Sequence, residues 1–308
     1  MPPIPVPFNH VERLVHRWFP NASVTVERLG SGGSTPVYRL TICDEITYLR
    51  LAEEPGEERS GEVAAHSLAM AAGVSVPAIL RFEAEPRELD RSATLTAAMP
   101  GIPLAEWNGP IPDATVTAIA ADLARLNRIP VQGYGWIAGV TADRRLYAEH
   151  ATRAAWSSEY RTAASAVVAA NILPEAVAVT LSTTIRQWCD LPDRQPASLA
   201  HGDFDPSHMY VDPVDSTYRG LIDLGEIRGT DHLYDLGHLL AHAFDPPMQD
   251  LATRIITASP VIRTIDGEEL RLQAMAIATR ALAIQLNRPE SAYRADLIAR
   301  ITALLHSP

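Results

Sequence analysis

Cysteine, basic clusters and long apolar runs are all scarce in this chain, and each scarcity excludes a class of function. The two cysteines among 308 residues, Cys43 and Cys189, lie far apart and show no metal-ligand spacing. Neither a zinc site nor a disulfide framework is expected, and both read as small buried apolar residues in a reducing compartment. No apolar run approaches the ~18 residues of a membrane span. The start, Met1-Pro2-Pro3-Ile4-Pro5, lacks the basic head and apolar core of a secretory leader, so a cytoplasmic protein is expected. With 37 acidic against 26 basic residues and a formal charge of −11, the chain offers no basic patch to nucleic acid or to an anionic membrane. A cationic or neutral ligand suits it better, although acidity also serves solubility alone.

What is present is ample apolar material. At 47% hydrophobic residues the chain can bury a large core, and its length suggests two domains or one two-lobed domain. Helical periodicity predicts helices over 11–19, 61–72, 114–128, most of 153–188 with a break at Leu173-Pro174, 268–286 and 292–305. Alternation predicts strands over 23–29, 37–42, 46–51, 74–80 and from 93 to the Pro100-Gly101 exit. Pro130 to Trp136 reads as a loop rich in glycine and aromatics.

The chemistry-bearing stretch is His201-Gly202-Asp203-Phe204-Asp205-Pro206-Ser207-His208, followed by Leu221-Ile222-Asp223-Leu224-Gly225. Between them, Met209-Tyr210-Val211 and Tyr218 to Ile222 flank a turn-rich cluster from Asp212 to Ser216, the pattern of a β-hairpin. A hairpin folds its ends together, so Asp203 and His208 should meet Asp223. A base, a neutral ligand and a carboxylate at one point are what phosphoryl transfer needs: Asp203 accepts the proton of a substrate hydroxyl, while His208 and Asp223 hold a divalent metal bridging nucleotide phosphates. Far upstream, a strand, the run Gly30-Ser31-Gly32-Gly33-Ser34 and a second strand form a hairpin whose backbone can approach phosphate oxygens closely. Alone that run would mark any turn; its position ahead of residue 201 lends it weight.

In order and spacing these motifs resemble the aminoglycoside phosphotransferase family, which shares the protein-kinase-like fold. His201, Asp203 and Asp223 match its H-x-D-x-x-x-x-N and I-D-x-G signatures, and Thr230-Asp231-His232-Leu233-Tyr234-Asp235-Leu236 nearly matches its G-D-x-x-Y-D-L segment. One position departs: His208 stands where the family has Asn, as it does in macrolide-modifying relatives. The resemblance implies an α+β fold with a small antiparallel β-sheet lobe over residues 1–99 and a mainly helical lobe over 100–308, with a helical insertion at about 150–190. It implies ATP or GTP and Mg²⁺ as cofactors. Ser31, Gly32, Gly33 and Ser34 would cover the phosphates, Arg50 would stand where kinases have lysine, and Glu62, or Glu58 one turn earlier, would pair with it. Ala97 and Met99 would face the base at the interlobe hinge.

His201 is expected to brace the loop rather than accept the proton, because a general base must reach the nucleophile. Asp205, Glu226 and Asp231 are candidates to meet the acceptor, although Asp231 and Asp235 are better suited to orient the catalytic loop or cap the next helix than to touch substrate. His66, His238 and His242 read as packing or surface residues. The seven residues between Asp223 and Asp231 leave no room for a peptide-binding activation segment, which argues against a protein kinase. The expected activity is transfer of a nucleotide γ-phosphate to a hydroxyl of a small molecule, plausibly an antibiotic, by a monomer. The alternatives are a kinase for a metabolite such as homoserine, choline or a sugar, and a nucleotide-binding pseudokinase, the latter motivated by Arg50 and His208.

Overall fold

A computed structural model describes residues 5–30, 35–193, 196–260 and 267–306. The alternation in β2 (Val37–Ile42) and β3 (Glu45–Leu51) puts Tyr38, Leu40, Leu49 and Leu51 on one face, where all are fully buried. With β1 (Val24–Arg28), β4 (Ile79–Glu83) and β5 (Ala93–Ala97) they form an antiparallel sheet in the order β1-β2-β3-β5-β4. Helix α1 (Phe8–Trp18) covers the apolar face with Val11, Leu14, Val15 and Trp18. Its end is pinned by Arg17, which donates to Glu83 at 2.9 Å and to Glu88 at 2.8 Å. Helix α2 (Ser60–Ala71) connects β3 to β4.

The strand expected over 74–80 is confined to its last residues. The backbone of Ser75 is committed elsewhere: its N–H donates to Asp122 at 2.9 Å and its carbonyl accepts from Leu221 N at 2.8 Å. Cys43 is also not buried as expected. It sits exposed at positive φ in the β2–β3 turn, whereas Cys189 is buried.

Beyond β5 the short β6 (Ile102–Pro103) joins β11 (Met209–Val211) and β12 (Tyr218–Leu221) in a second sheet. A third, closed sheet comprises β7 (Pro130–Gln132), β8 (Tyr134–Val140), β9 (Leu146–His150), β10 (Ala197–Ala200) and β13 (Arg228–Thr230). Sequence reading took 130–136 for a loop because of its glycines. In fact Gly133 and Gly135 have φ of 89° and 93°, and a Cβ on Gly133 would lie 2.4 Å from the His150 carbonyl oxygen. Glycine here marks a sharp bend and close backbone approach inside a sheet.

Helix α3 (Asp113–Leu126) buries Val116, Ile119, Leu123 and Leu126, the stripe expected of it. Helices α4 (Arg153–Ala169), α5 (Glu175–Cys189), α6 (Tyr234–Ala241) and α9 (Ala292–His306) pack around α8 (Gly267–Gln285), which is apolar on nearly every side and central. Helix α7 (Pro246–Ala258) was not foreseen, although its start carries a legible signal: Asp245 accepts from Met248 N at 2.9 Å and proline follows at the first helical position. Among the described residues no helix is long and apolar enough to cross a membrane.

The α4–α5 pair is locked by Trp188, fully buried with its ring 5.6 Å from Trp156 and 4.5 Å from Tyr160. Its indole N–H donates to Gln273 at 3.0 Å, and Arg153 stacks on its ring at 4.4 Å. Replacing Trp188 with Ala should therefore cost about 3–5 kcal/mol. A large drop in the urea midpoint would bear this out, and a change as small as that of the exposed Val179→Ala would refute it.

Candidate active site

The catalytic hairpin behaves as its sequence pattern demands. Met209 pairs with Leu221 and Tyr210 with Gly220, and Ile222 N donates to the His208 carbonyl at 3.0 Å, which closes the mouth of the hairpin. His208 Nδ1 lies 3.6 Å from Asp203 Oδ2, and its Nε2 lies 3.8 Å from Asp223 Oδ2. Asp203, His208 and Asp223 thus face one another. The loop ahead of them is tied down by a buried carboxylate: Asp235 accepts from His201 N at 3.0 Å, Gly202 N at 2.9 Å and Asn127 Nδ2 at 3.3 Å. Gly202 has a φ of 88°, and a Cβ there would lie 1.8 Å from the Glu226 carbonyl oxygen, so only glycine lets the loop pass beneath Glu226. His201 is fully buried and its Nε2 donates to the Ile222 carbonyl at 2.9 Å. It spans the hairpin as a brace and does not reach the open face where Asp203 stands.

On the sheet side Arg50 Nη1 lies 2.7 Å from Glu62 Oε1 and 3.4 Å from Asp223 Oδ1. The cation on β3, the carboxylate on α2 and the carboxylate after the hairpin form one chain of contacts. The chain contains no lysine at all, so arginine fills this position. Its width has a consequence: a Cβ on Gly225 would fall 1.7 Å from Arg50 Nη2, so the glycine after Asp223 makes space for the guanidinium. Glu58, the alternative partner, instead accepts from Ser60 N at 2.8 Å and Ser60 Oγ at 2.7 Å at the start of α2. Asp223 adopts left-handed φ and ψ of 58° and 62°, a conformation that costs a non-glycine residue energy and recurs at functional sites. Ala97 ends β5 and Met99 follows it, with the Met99 side chain packed against Gly220 of the hairpin. Ser31, Gly32, Gly33 and Ser34 lie outside the described residues.

Asp203, Asp205 and Glu226 line a common cavity of about 420 Å³ with Arg228, Tyr234, His238, His242, Phe244, Tyr293 and residues of α8. Asp231 does not line it. Its carboxylate accepts from Leu233 N at 3.0 Å ahead of α6, in line with the capping role expected of it, and borders a separate small recess. His238 on α6 and His242 just beyond its end, expected to be packing or surface residues, also border this cavity. His238 Nε2 lies 3.3 Å from Asp203 Oδ1, and His242 accepts from the Tyr293 hydroxyl at 3.0 Å. Their i, i+4 spacing directly after Tyr234-Asp235-Leu236 was the available signal, since it puts both on one helix face.

The model of the APH phosphotransferase enzyme family matches residues 25–258. This chain belongs to that family. An aminoglycoside 3'-phosphotransferase of Streptomyces ribosidificus is 27% identical over 226 residues, 71% of this chain and 79% of that protein. The fold is similar to that of a thermostable mutant of the aminoglycoside phosphotransferase APH(4)-Ia, with a TM-score of 0.70 at 16% identity over 96% of this chain and 98% of the other. It is also similar to the GDP complex of aminoglycoside 2'-phosphotransferase-IIIa, with a TM-score of 0.67 at 15% identity over the same 96% and 98%. The α+β kinase-like architecture expected from the motifs is therefore the fold of this family member.

Electrostatics at the family's motif positions follow from placement. At Asp223 burial opposes ionisation, but the Arg50 guanidinium, then His208 and His201, outweigh it and hold the carboxyl below the usual range. Burial raises Glu226 despite Arg228 beside it. Burial, followed by the field of His208, pushes His201 down to about 4, so it is neutral at pH 7. Tyr293 is pushed up to about 12 by burial and by the carboxylates of Asp203 and Asp205.

A divalent metal fits the donors present. His208 Nδ1 donates to the Asp203 carbonyl at 2.9 Å, which leaves its Nε2 lone pair free beside Asp223 Oδ2. Among the described residues no group of three or more His, Cys, Asp or Glu could hold a metal alone. Mg²⁺ does not require one, because it is held by one or two carboxylates together with substrate phosphates and retained waters.

Asp235→Ala should leave the buried N–H groups of His201 and Gly202 unsatisfied, Asn127 keeping the Leu199 carbonyl, and cost at least about 2 kcal/mol, at ~1–3 kcal/mol for each orphaned group. Thermal unfolding would expose the loss, and an unchanged midpoint would show that the loop needs no such anchor. Because the folded-state pKa of His201 lies below its ordinary value of 6.5, the unfolded chain binds the extra proton between pH 6.5 and about 4. Stability should therefore fall as pH is lowered through that window, by roughly 2–3 kcal/mol from this group. Urea titrations of wild type and His201→Gln should diverge there, and parallel curves would contradict the assignment.

Proposed function

We propose that this chain transfers the γ-phosphate of ATP or GTP, as its magnesium complex, to a hydroxyl group of a small molecule, an antibiotic being the acceptor in keeping with its relatives. The observation that carries the reading is the convergence of Asp203, His208 and Asp223, each within 4 Å of the next, on a chain of contacts to Arg50 and Glu62. The solved relatives include a complex of APH(4)-Ia with ADP and hygromycin B and one of APH(2")-IIIa with GDP and kanamycin.

In this reading residues 1–99 form the nucleotide-binding lobe and 100–308 the catalytic and acceptor-binding lobe. Ser31 to Ser34 cover the phosphates with backbone N–H groups, and Arg50, oriented by Glu62, holds the α- and β-phosphates in its planar fork. The backbone of Ala97 and the side chain of Met99 receive the purine. His208 and Asp223 would hold the metal, which when bound neutralises charge on the β- and γ-phosphates.

Asp203 then aligns the acceptor hydroxyl and takes its proton. His238 and His208 flank its two carboxylate oxygens and fix its orientation. Little covalent work is required of the protein, because positioning and charge neutralisation lower most of the barrier. Glu226 and Asp205 stand beside the base in the acceptor cavity.

The test is a phosphate-transfer screen with ATP and GTP across aminoglycoside, macrolide, peptide and nucleoside antibiotics, with homoserine, choline and sugars alongside. Transfer to an antibiotic, reduced at least ~10²-fold in Asp203→Asn with nucleotide binding retained, is the expected result. Full-speed transfer by the variant would remove Asp203 from the mechanism, and transfer only to a metabolite would overturn the antibiotic assignment.

A further inference from the structure

The acceptor cavity has a charge pattern that narrows what it takes, and the inference rests on the phosphotransfer reading above. One face of α8 supplies Ile277, Arg280, Ala281 and Ile284, spaced i, i+3, i+4 and i+7 so that all four point the same way. His242, Phe244 and Tyr293 line the same cavity, and their rings pack on one another with centroids 5.8 to 6.1 Å apart. The cavity therefore carries two apolar clusters among its polar and charged groups, and Ile284 is 43% exposed.

The charges are nearly balanced. Of the lining carboxylates, Asp203 is committed to the reacting hydroxyl, and Glu226 is already paired with Arg228 at 2.7 Å. Asp205 Oδ1 accepts from Ser207 N at 2.9 Å and Ser207 Oγ at 2.7 Å, which leaves its second oxygen for a ligand. Against that one available carboxylate stands Arg280, partly buried on the cavity wall. It forms no hydrogen bond and no ion pair with any described residue, although its field reaches Glu226. A ligand with several ammonium groups would find too few partners here and would meet a like charge, which costs affinity and selects against it.

We propose that the acceptor is an amphiphilic hydroxyl compound with at most one positive charge, whose carboxylate or carbonyl oxygen is held by Arg280 and whose hydrocarbon face lies against Ile277, Ile284, Phe244 and Tyr293. A cavity of about 420 Å³ is of the size that encloses most of a drug-sized molecule of this kind. Asp205 would receive the single amine where the acceptor has one. Polycationic aminoglycosides, the substrates named for the relatives, are then poor acceptors for this chain.

Steady-state phosphate transfer by the full chain tests this with four probes: erythromycin and mupirocin as weakly charged amphiphiles, and kanamycin and hygromycin B as polycations. Wild type should favour the better amphiphile over either polycation by at least tenfold in kcat/KM. Arg280→Glu should reduce transfer to that amphiphile at least tenfold, mainly through KM, and raise transfer to kanamycin. Arg280→Ala should fall between the two, with thermal unfolding checking that both variants fold. A polycation used by wild type as well as the best amphiphile, acceptance of neither amphiphile, or Arg280→Glu within twofold of wild type would each overturn the proposal. Nucleotide binding to wild type without acceptor separates the two readings: its absence sinks phosphotransfer itself, whereas binding with transfer to aminoglycosides alone sinks only the acceptor class.

Discussion

The buried carboxylate of Asp235 is the constraint on which the candidate site depends. Three donors converge on it, two of them backbone N–H groups of His201 and Gly202 that belong to no strand or helix. Burial alone would favour its neutral form, and those donors together with the nearby Arg228 work in the opposite direction. A group buried at that expense must be hydrogen-bonded, and here the bonds fix the path of the loop that presents Asp203. Asn127 adds a second tie, donating to the Leu199 carbonyl at 2.9 Å, so α3, β10 and α6 meet at one point.

From that anchor the arrangement extends in two directions. Toward the sheet, Asp223 is strained into a left-handed conformation and reaches Arg50, whose seat exists because residue 225 has no side chain. Toward the helices, His238 reaches Asp203 from α6, and α6 lies so close to α8 that a Cβ on Gly237 would sit 2.6 Å from Gln273 Cγ. On the proposed reading, nucleotide and acceptor would therefore meet at Asp203 from these two directions. β6 pairs with β11, so the crossing segment between sheet and helices is hydrogen-bonded to the catalytic hairpin itself.

How much of this was legible follows from the range of the contacts. The meeting of Asp203, His208 and Asp223 could be read because a short hairpin makes it a local event. The Arg50–Glu62 pair could be read because strand and helix are successive. The closed sheet from β7 to β10 was hidden, since its partners come from 130 and 197 onward and its glycines imitate a loop. The cavity wall was hidden for a similar reason: whether His242, Arg280 and Tyr293 share a cavity depends on how α6, α8 and α9 pack, which no single helix shows. Helix α7 was legible in its Asp-Pro-Pro start and was missed because its apolar stripe is short.

The central claim is that one metal–nucleotide complex is held jointly by His208 and Asp223 beside Asp203. Pulsed electron paramagnetic resonance of the protein loaded with Mn²⁺ and ATP tests it most directly, Mn²⁺ replacing Mg²⁺. The account predicts a nitrogen hyperfine coupling that disappears in His208→Gln, and a weakened Mn²⁺–ATP complex in Asp223→Asn. Tight binding of Mn²⁺–ATP with no nitrogen coupling, and with no change on loss of Asp223, would contradict it.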